Sequence, residues 1–75
     1  MLVDQELDVK GLKCPLPILR TKKVLAQMDS GQLLRVYTTD PGSQRDFAVF
    51  ARQSGNALLA TNCESAIFEF ILRRK

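Results

Sequence analysis

From Glu6 to Lys10 the chain alternates, with Leu7 and Val9 set between Glu6, Asp8 and Lys10, the two-residue period of a half-buried strand. Gly11 allows a turn after it. From Pro15 the period lengthens. Ile18, Thr21, Leu25 and Met28, flanked by Val24, fall on one helical face, and Arg20, Lys22, Lys23 and Gln27 fall on the other. Asp29-Ser30-Gly31 ends this helix, with Gly31 suited to the left-handed position just past its C-terminus. Gln32 to Thr39 reads as a second strand with Leu34, Val36 and Thr38 on one side, broken by Asp40-Pro41-Gly42-Ser43. Ser43 and Asp46 have the spacing of a capping box opening a second helix, in which Phe47, Phe50, Ala51 and Ser54 share a face and Gly55 marks the end. Ala57–Asn62 and Ala66–Arg73 then form a hairpin turning near Cys63-Glu64-Ser65. Within its second strand Ala66, Phe68, Phe70 and Leu72 face one way, and Ile67 and Ile71 the other.

Strand, helix, strand, helix, strand, strand is an α/β order. Helical crossovers make their flanking strands parallel, and right-handed crossovers of one sense place both helices on one face of the sheet. The terminal hairpin adds an antiparallel strand. The expected fold is a two-layer sandwich, a mixed four-stranded sheet with one open face, and it brings Cys14 and the loop from Asp40 to Ser43 to one sheet edge.

Composition narrows the chemistry. Seventy-five residues suffice for one domain, residues 1–75, and the sequence holds no His, no Trp and two Cys. The absence of histidine excludes Ser/His/Asp and Cys/His catalytic sets and His-ligated metals. Two Cys separated by 49 positions are not a disulfide framework, and they supply too few ligands for a metal site. No cofactor is implied. The first residues are acidic where a secretory leader is basic, and no apolar run approaches the roughly 18 residues of a membrane span. A cytoplasmic protein without membrane contact is expected.

Gly11-Leu12-Lys13-Cys14-Pro15-Leu16-Pro17 is the stretch that carries chemistry. Pro15 disfavours the helical conformation at Cys14 and itself fits the first helical position, so Cys14 is expected at the N-cap and Pro17 at the third position. A sulfur there feels the positive end of the helix dipole, and Lys13, Arg20, Lys22 and Lys23 add positive charge; both favour the thiolate. Such a thiolate attacks a persulfide or disulfide sulfur without an imidazole. The competing reading is a small cysteine packed under a strand-to-helix turn.

Leu7-Asp8-Val9-Lys10-Gly11-Leu12-Lys13-Cys14-Pro15-Leu16-Pro17, with Asp40-Pro41-Gly42-Ser43, Arg45-Asp46 and Leu72-Arg73-Arg74-Lys75, resembles the TusA family of small sulfur carriers, also called SirA-like or UPF0033. The resemblance covers nearly the whole chain. It implies a sheet order of 1-2-4-3, a persulfide carried on Cys14, a cysteine desulfurase or other persulfide donor, and a downstream acceptor protein, as in the relay for tRNA 2-thiouridine. Leu16 stands between the prolines where the tRNA-relay member carries an acidic residue, so the pathway served stays open.

With that order Cys63 sits three strands from Cys14, about 14 Å at ordinary strand spacing and too far for a disulfide, and it reads as an incidental turn cysteine. Pro15, Pro17, Lys13 and Asp40 frame the site. Asp40 either hydrogen-bonds near Cys14 or simply forms the turn. Leu16, Arg20, Lys22 and Lys23 face the partner, or the basic residues are a solvated surface. The alternative function is a regulatory or RNA-binding module using the net charge of +3 and the Arg73-Arg74-Lys75 tail, although its five aromatic residues mostly occupy core positions and leave no stacking platform. Direct nucleic-acid binding is therefore not expected.

Overall fold

The computed structural model describes residues 2–75. Its elements run β1 (Gln5–Asp8), α1 (Leu16–Ala26), β2 (Leu33–Thr38), α2 (Ser43–Ser54), β3 (Ala57–Glu64) and β4 (Ile67–Arg73). They form one sheet of order β1-β2-β4-β3, in which β1 and β2 are parallel and β4 runs antiparallel to both β2 and β3. The expected fold class and strand order are both present.

The core follows from the pleat. Along β2 burial alternates, and Leu34, Val36 and Thr38 are the buried set. In β4 their partners are Leu72, Phe70 and Phe68, so pairing lays a continuous apolar strip across the two central strands. Leu25 from α1 and Phe47 and Phe50 from α2 close over that strip in a single cluster, which places both helices on one face. Phe47 stacks on Phe70 with ring centroids 4.3 Å apart and planes 5° from parallel. On the open face Arg35 reaches Glu6 at 2.9 Å and Glu69 at 3.2 Å. Ile71, directly across from Arg35, is buried as well.

The boundaries differ from expectation at five points, each with a local cause. Strand β1 stops at Asp8, although Val9 stays buried and donates its N–H to Tyr37 O at 2.8 Å. Helix α1 starts at Leu16 with Pro15 at the N-cap, so Cys14 lies one residue before the cap and Pro17 is the second helical residue. The helix also ends at Ala26. Met28 is still buried beyond it, and Gly31, at φ +87°, serves a separate turn in which its N–H donates to Arg74 O.

At α2 the capping box is not made. Gly42 is the N-cap and Ser43 lies inside the first turn, its buried hydroxyl paired with Thr38 Oγ1 at 3.0 Å. Finally, β3 continues through Cys63 and Glu64, and the hairpin turns at Ser65 and Ala66, both with positive φ. A two-residue hairpin loop requires that conformation, and the usual Asn-Gly signal is missing from the sequence.

The basic tail is also not free. Arg74 Nε donates to Leu25 O at 2.8 Å, a carbonyl at the C-terminal end of α1 that also accepts the Met28 N–H, and Lys75 N–H donates to Asn56 Oδ1 at 2.8 Å. Arg74 is thereby withdrawn from the phosphate-binding role of the RNA reading.

Phe47→Ala removes a fully buried ring and its stacking partner's cover. The expected loss is about 3–5 kcal/mol, a large share of the roughly 4–11 kcal/mol available to a chain this size. The urea midpoint of Phe47→Ala should fall accordingly, and an unchanged midpoint would contradict this packing.

Candidate functional site around Cys14

Two loops meet at the C-terminal edge of β1 and β2. The first leaves Val9, reverses at Gly11 (φ +85°) and reaches α1. Gly11 N–H donates to Thr39 Oγ1 at 2.9 Å, and Leu16 N–H turns back to Lys13 O at 2.9 Å. The second loop, after β2, is organised by Asp40. Its N–H donates to Thr38 Oγ1 at 3.1 Å, and its C=O accepts from Ser43 N–H at 3.0 Å. Its side chain crosses to the first loop, where Oδ2 accepts the N–H of Cys14 at 3.1 Å. Both sequence readings of Asp40 are thus realised in one residue: it forms the turn and it holds the cysteine.

Cys14 is exposed, which removes the reading of a packed structural cysteine. Its sulfur, one Asp40 carboxylate oxygen and one Asp46 carboxylate oxygen all lie within 4.8 Å of one another. Both carboxylates pass over Gly42, where a Cβ would stand 3.7 Å from Asp46 Oδ2 and 3.8 Å from Asp40 Oδ2. Beside the sulfur a groove of about 240 Å³ runs between the helices, with Ile18, Val49 and Phe50 as apolar wall and Lys22, Asp46 and Gln53 as polar wall. Of the four basic residues expected at the site, Lys22 lines this groove. Lys13, Arg20 and Lys23 are exposed and do not line it. Leu16 and Leu19 project from the first turns of α1, 43% and 51% exposed.

The electrostatics run against expectation. The Asp46 carboxylate, receiving the thiol's hydrogen bond, pushes the Cys14 thiol above its ordinary value; desolvation and the charges of Asp46 and Asp40 push the same way, and Arg45 pulls it back. The first turn of α1 is also short of free N–H groups to aim at the sulfur: Leu16 donates to Lys13 O, and Pro17 has none. The resting state favours the thiol.

Cys14, Asp40 and Asp46 are also the one group of three metal-donor atoms this close among the described residues. One soft sulfur with two hard oxygens and no fourth ligand fits no common coordination set. Asp46 and Arg45 are the site residues that sequence reasoning missed. The capping-box reading had assigned Asp46 to its own helix, and the shared sheet edge was read for Cys14 and the loop from Asp40 to Ser43, which stops three residues short of Asp46.

Across residues 5–74 the chain matches the family model described as Sulfurtransferase TusA. The chain belongs to the TusA family. The Allochromatium vinosum protein named "Sulfur carrier protein TusA" is 55% identical over 71 residues, covering 95% of this chain and 93% of that one. A Bacillus subtilis relative is 40% identical over 74 residues, 99% of each chain. Among solved structures, the SirA-like protein of Desulfitobacterium hafniense superposes with a TM-score of 0.82 at 22% identity, over 92% of this chain and 95% of that one, and shares the fold. The Cys-Pro-Leu-Pro segment of this TusA-family chain lies within the matched region. Among its described residues no helix is long and apolar enough to cross a membrane.

In a Cys63→Ala background, alkylation of Cys14 by iodoacetamide should follow a pH profile displaced to higher pH than that of the same chain unfolded in urea. A folded-state thiol that holds its proton more tightly stabilises the fold below the unfolded thiol's range, and that contribution is lost as pH rises through the folded value. Coincident profiles would remove the acidic influence described here.

Proposed function

We propose that this chain carries sulfane sulfur as a persulfide on Cys14, taken from a cysteine desulfurase or another persulfide donor and passed to an acceptor protein serving tRNA 2-thiouridine formation or another sulfur pathway. The observation that carries the reading is an exposed thiol fixed at a proline-framed helix start in a chain of the TusA family. In loading, the Cys14 thiolate attacks the terminal sulfur of the donor persulfide. The donor's S–S bond breaks, a new S–S bond forms on Cys14, and the donor cysteine leaves as a thiolate that takes up the proton Cys14 gave up. Delivery repeats the exchange with the acceptor as nucleophile. No oxidant is consumed.

A carrier of this kind leaves turnover chemistry to its partners. Exposure of Cys14 lets it enter another protein's active site, and the surrounding surface supports docking. Leu16 and Leu19 offer apolar contact, with Lys13, Arg20, Lys22 and Lys23 on the same helix or its approach.

Incubation with a cysteine desulfurase and cysteine should add the mass of one sulfur atom to Cys14. Loading should survive Cys63→Ala and vanish in Cys14→Ala; absence of labelling on the wild-type chain, or labelling that ignores Cys14→Ala, sinks the reading. Leu19→Asp should slow loading severalfold while changing stability by no more than about 0.5 kcal/mol, a pair of results that separates lost docking from lost folding.

A further inference from the structure

The two carboxylates beside Cys14 have no part in the exchange chemistry above, and they oppose it. A thiolate is the nucleophile, and Asp40 and Asp46 disfavour a further negative charge next to them. Their placement is built into the fold. Asp40 is fixed by the Cys14 N–H at 3.1 Å, and Asp46 rides on the first turn of α2, where its own N–H donates to Gly42 O at 3.0 Å. Around the sulfur stand Asp40 from the β2–α2 loop, Asp46 and Arg45 from α2 and Lys22 from α1, with Lys13 preceding it in the chain. One oxygen of each carboxylate lies within 4.8 Å of the sulfur.

From this arrangement we infer a charge latch: in the free carrier the carboxylates of Asp46 and Asp40, each with an oxygen within 4.8 Å of the Cys14 sulfur, hold it as a neutral thiol, and a donor protein that sets arginine or lysine side chains against these carboxylates frees it as the nucleophile. The donor half rests on Cys14 being the sulfur acceptor; the latch itself does not. A neutral thiol reacts poorly with stray disulfides and electrophiles, so an exposed Cys14 stays quiet between encounters. Cations brought against Asp40 and Asp46 cancel the charge that held the proton, and the thiolate then attacks the donor's terminal sulfur with the bond changes already given. The partner's contact at this spot is therefore basic, while its contacts with the lysines of α1 are acidic. Asp46 is a positioning residue in this scheme, acting through Cys14.

The latch is tested with Asp46→Asn, which keeps the side-chain shape and removes the charge, in a Cys63→Ala background with folding checked by the urea midpoint. Alkylation of unloaded Cys14 by neutral iodoacetamide should shift to lower pH and run severalfold faster near neutrality. The gain is tempered because a less basic thiolate is a weaker nucleophile, so each tenfold rise in thiolate yields only about a threefold faster reaction. Asp46→Glu should restore the slow profile, and Arg45→Ala should move it to higher pH. Loading by a cysteine desulfurase should gain nothing from Asp46→Asn, because the donor already neutralises that charge. An unmoved alkylation profile overturns the latch. Loading that accelerates in step with alkylation overturns its release by the donor. Failure of the wild-type chain to load on Cys14 removes the donor half together with the carrier reading, and the alkylation profiles still decide the latch.

Discussion

The pairing of β2 with β4 at the centre of the sheet is the constraint on which the rest of the structure depends. Their register sets Leu34 beside Leu72 and Val36 beside Phe70, and a slip of one residue would turn these side chains to the open face. Both helices close on that strip, with Phe47 resting flat on Phe70. In a chain of 75 residues there is no second core to compensate for losing this one. The fold positions the site as a by-product: covering one face of the sheet with two crossover helices brings the loops entering them to the same edge.

At that edge Asp40 converts proximity into a defined geometry. Its backbone closes the turn into α2, and its side chain holds the backbone of Cys14, so one residue ties the two loops together. The same contact brings negative charge to the sulfur. Position and electrostatics are therefore coupled here, because the group that orients the cysteine also discourages its ionisation.

The architecture was legible because it rests on periodicity. Leu34, Val36 and Thr38 alternate, Phe47 and Phe50 keep helical spacing, and the structure buries these residues. Boundaries were less legible, since they depend on local choices that several residues can satisfy. Ser43 has a capping side chain, but Thr38 lies across from it in a dry interior and takes its hydroxyl. Ser65 and Ala66 adopt positive φ without a glycine because the two flanking strands dictate a two-residue loop. For the site, Cys14 and its proline frame stood out, and its charge environment did not. Lys13, Arg20, Lys22 and Lys23 are close in sequence, whereas Asp40 and Asp46 arrive from across the fold, 26 and 32 positions away. Sequence neighbours suggested a basic site, and tertiary neighbours made it acidic.

The outer strands of the sheet are unequal. Strand β1 is short, with Glu6 and Asp8 along it, and charged side chains discourage a second chain from pairing there. Strand β3 has eight residues and no charge before Glu64, the composition of an edge prone to aggregation. Its register breaks between Leu58 and Ala60, leaving Leu59 as an extra residue opposite β4. A bulge of this kind twists the strand and interrupts its free backbone groups. An irregularity of backbone on one flank and charge on the other thus oppose self-templating at the two edges of the sheet.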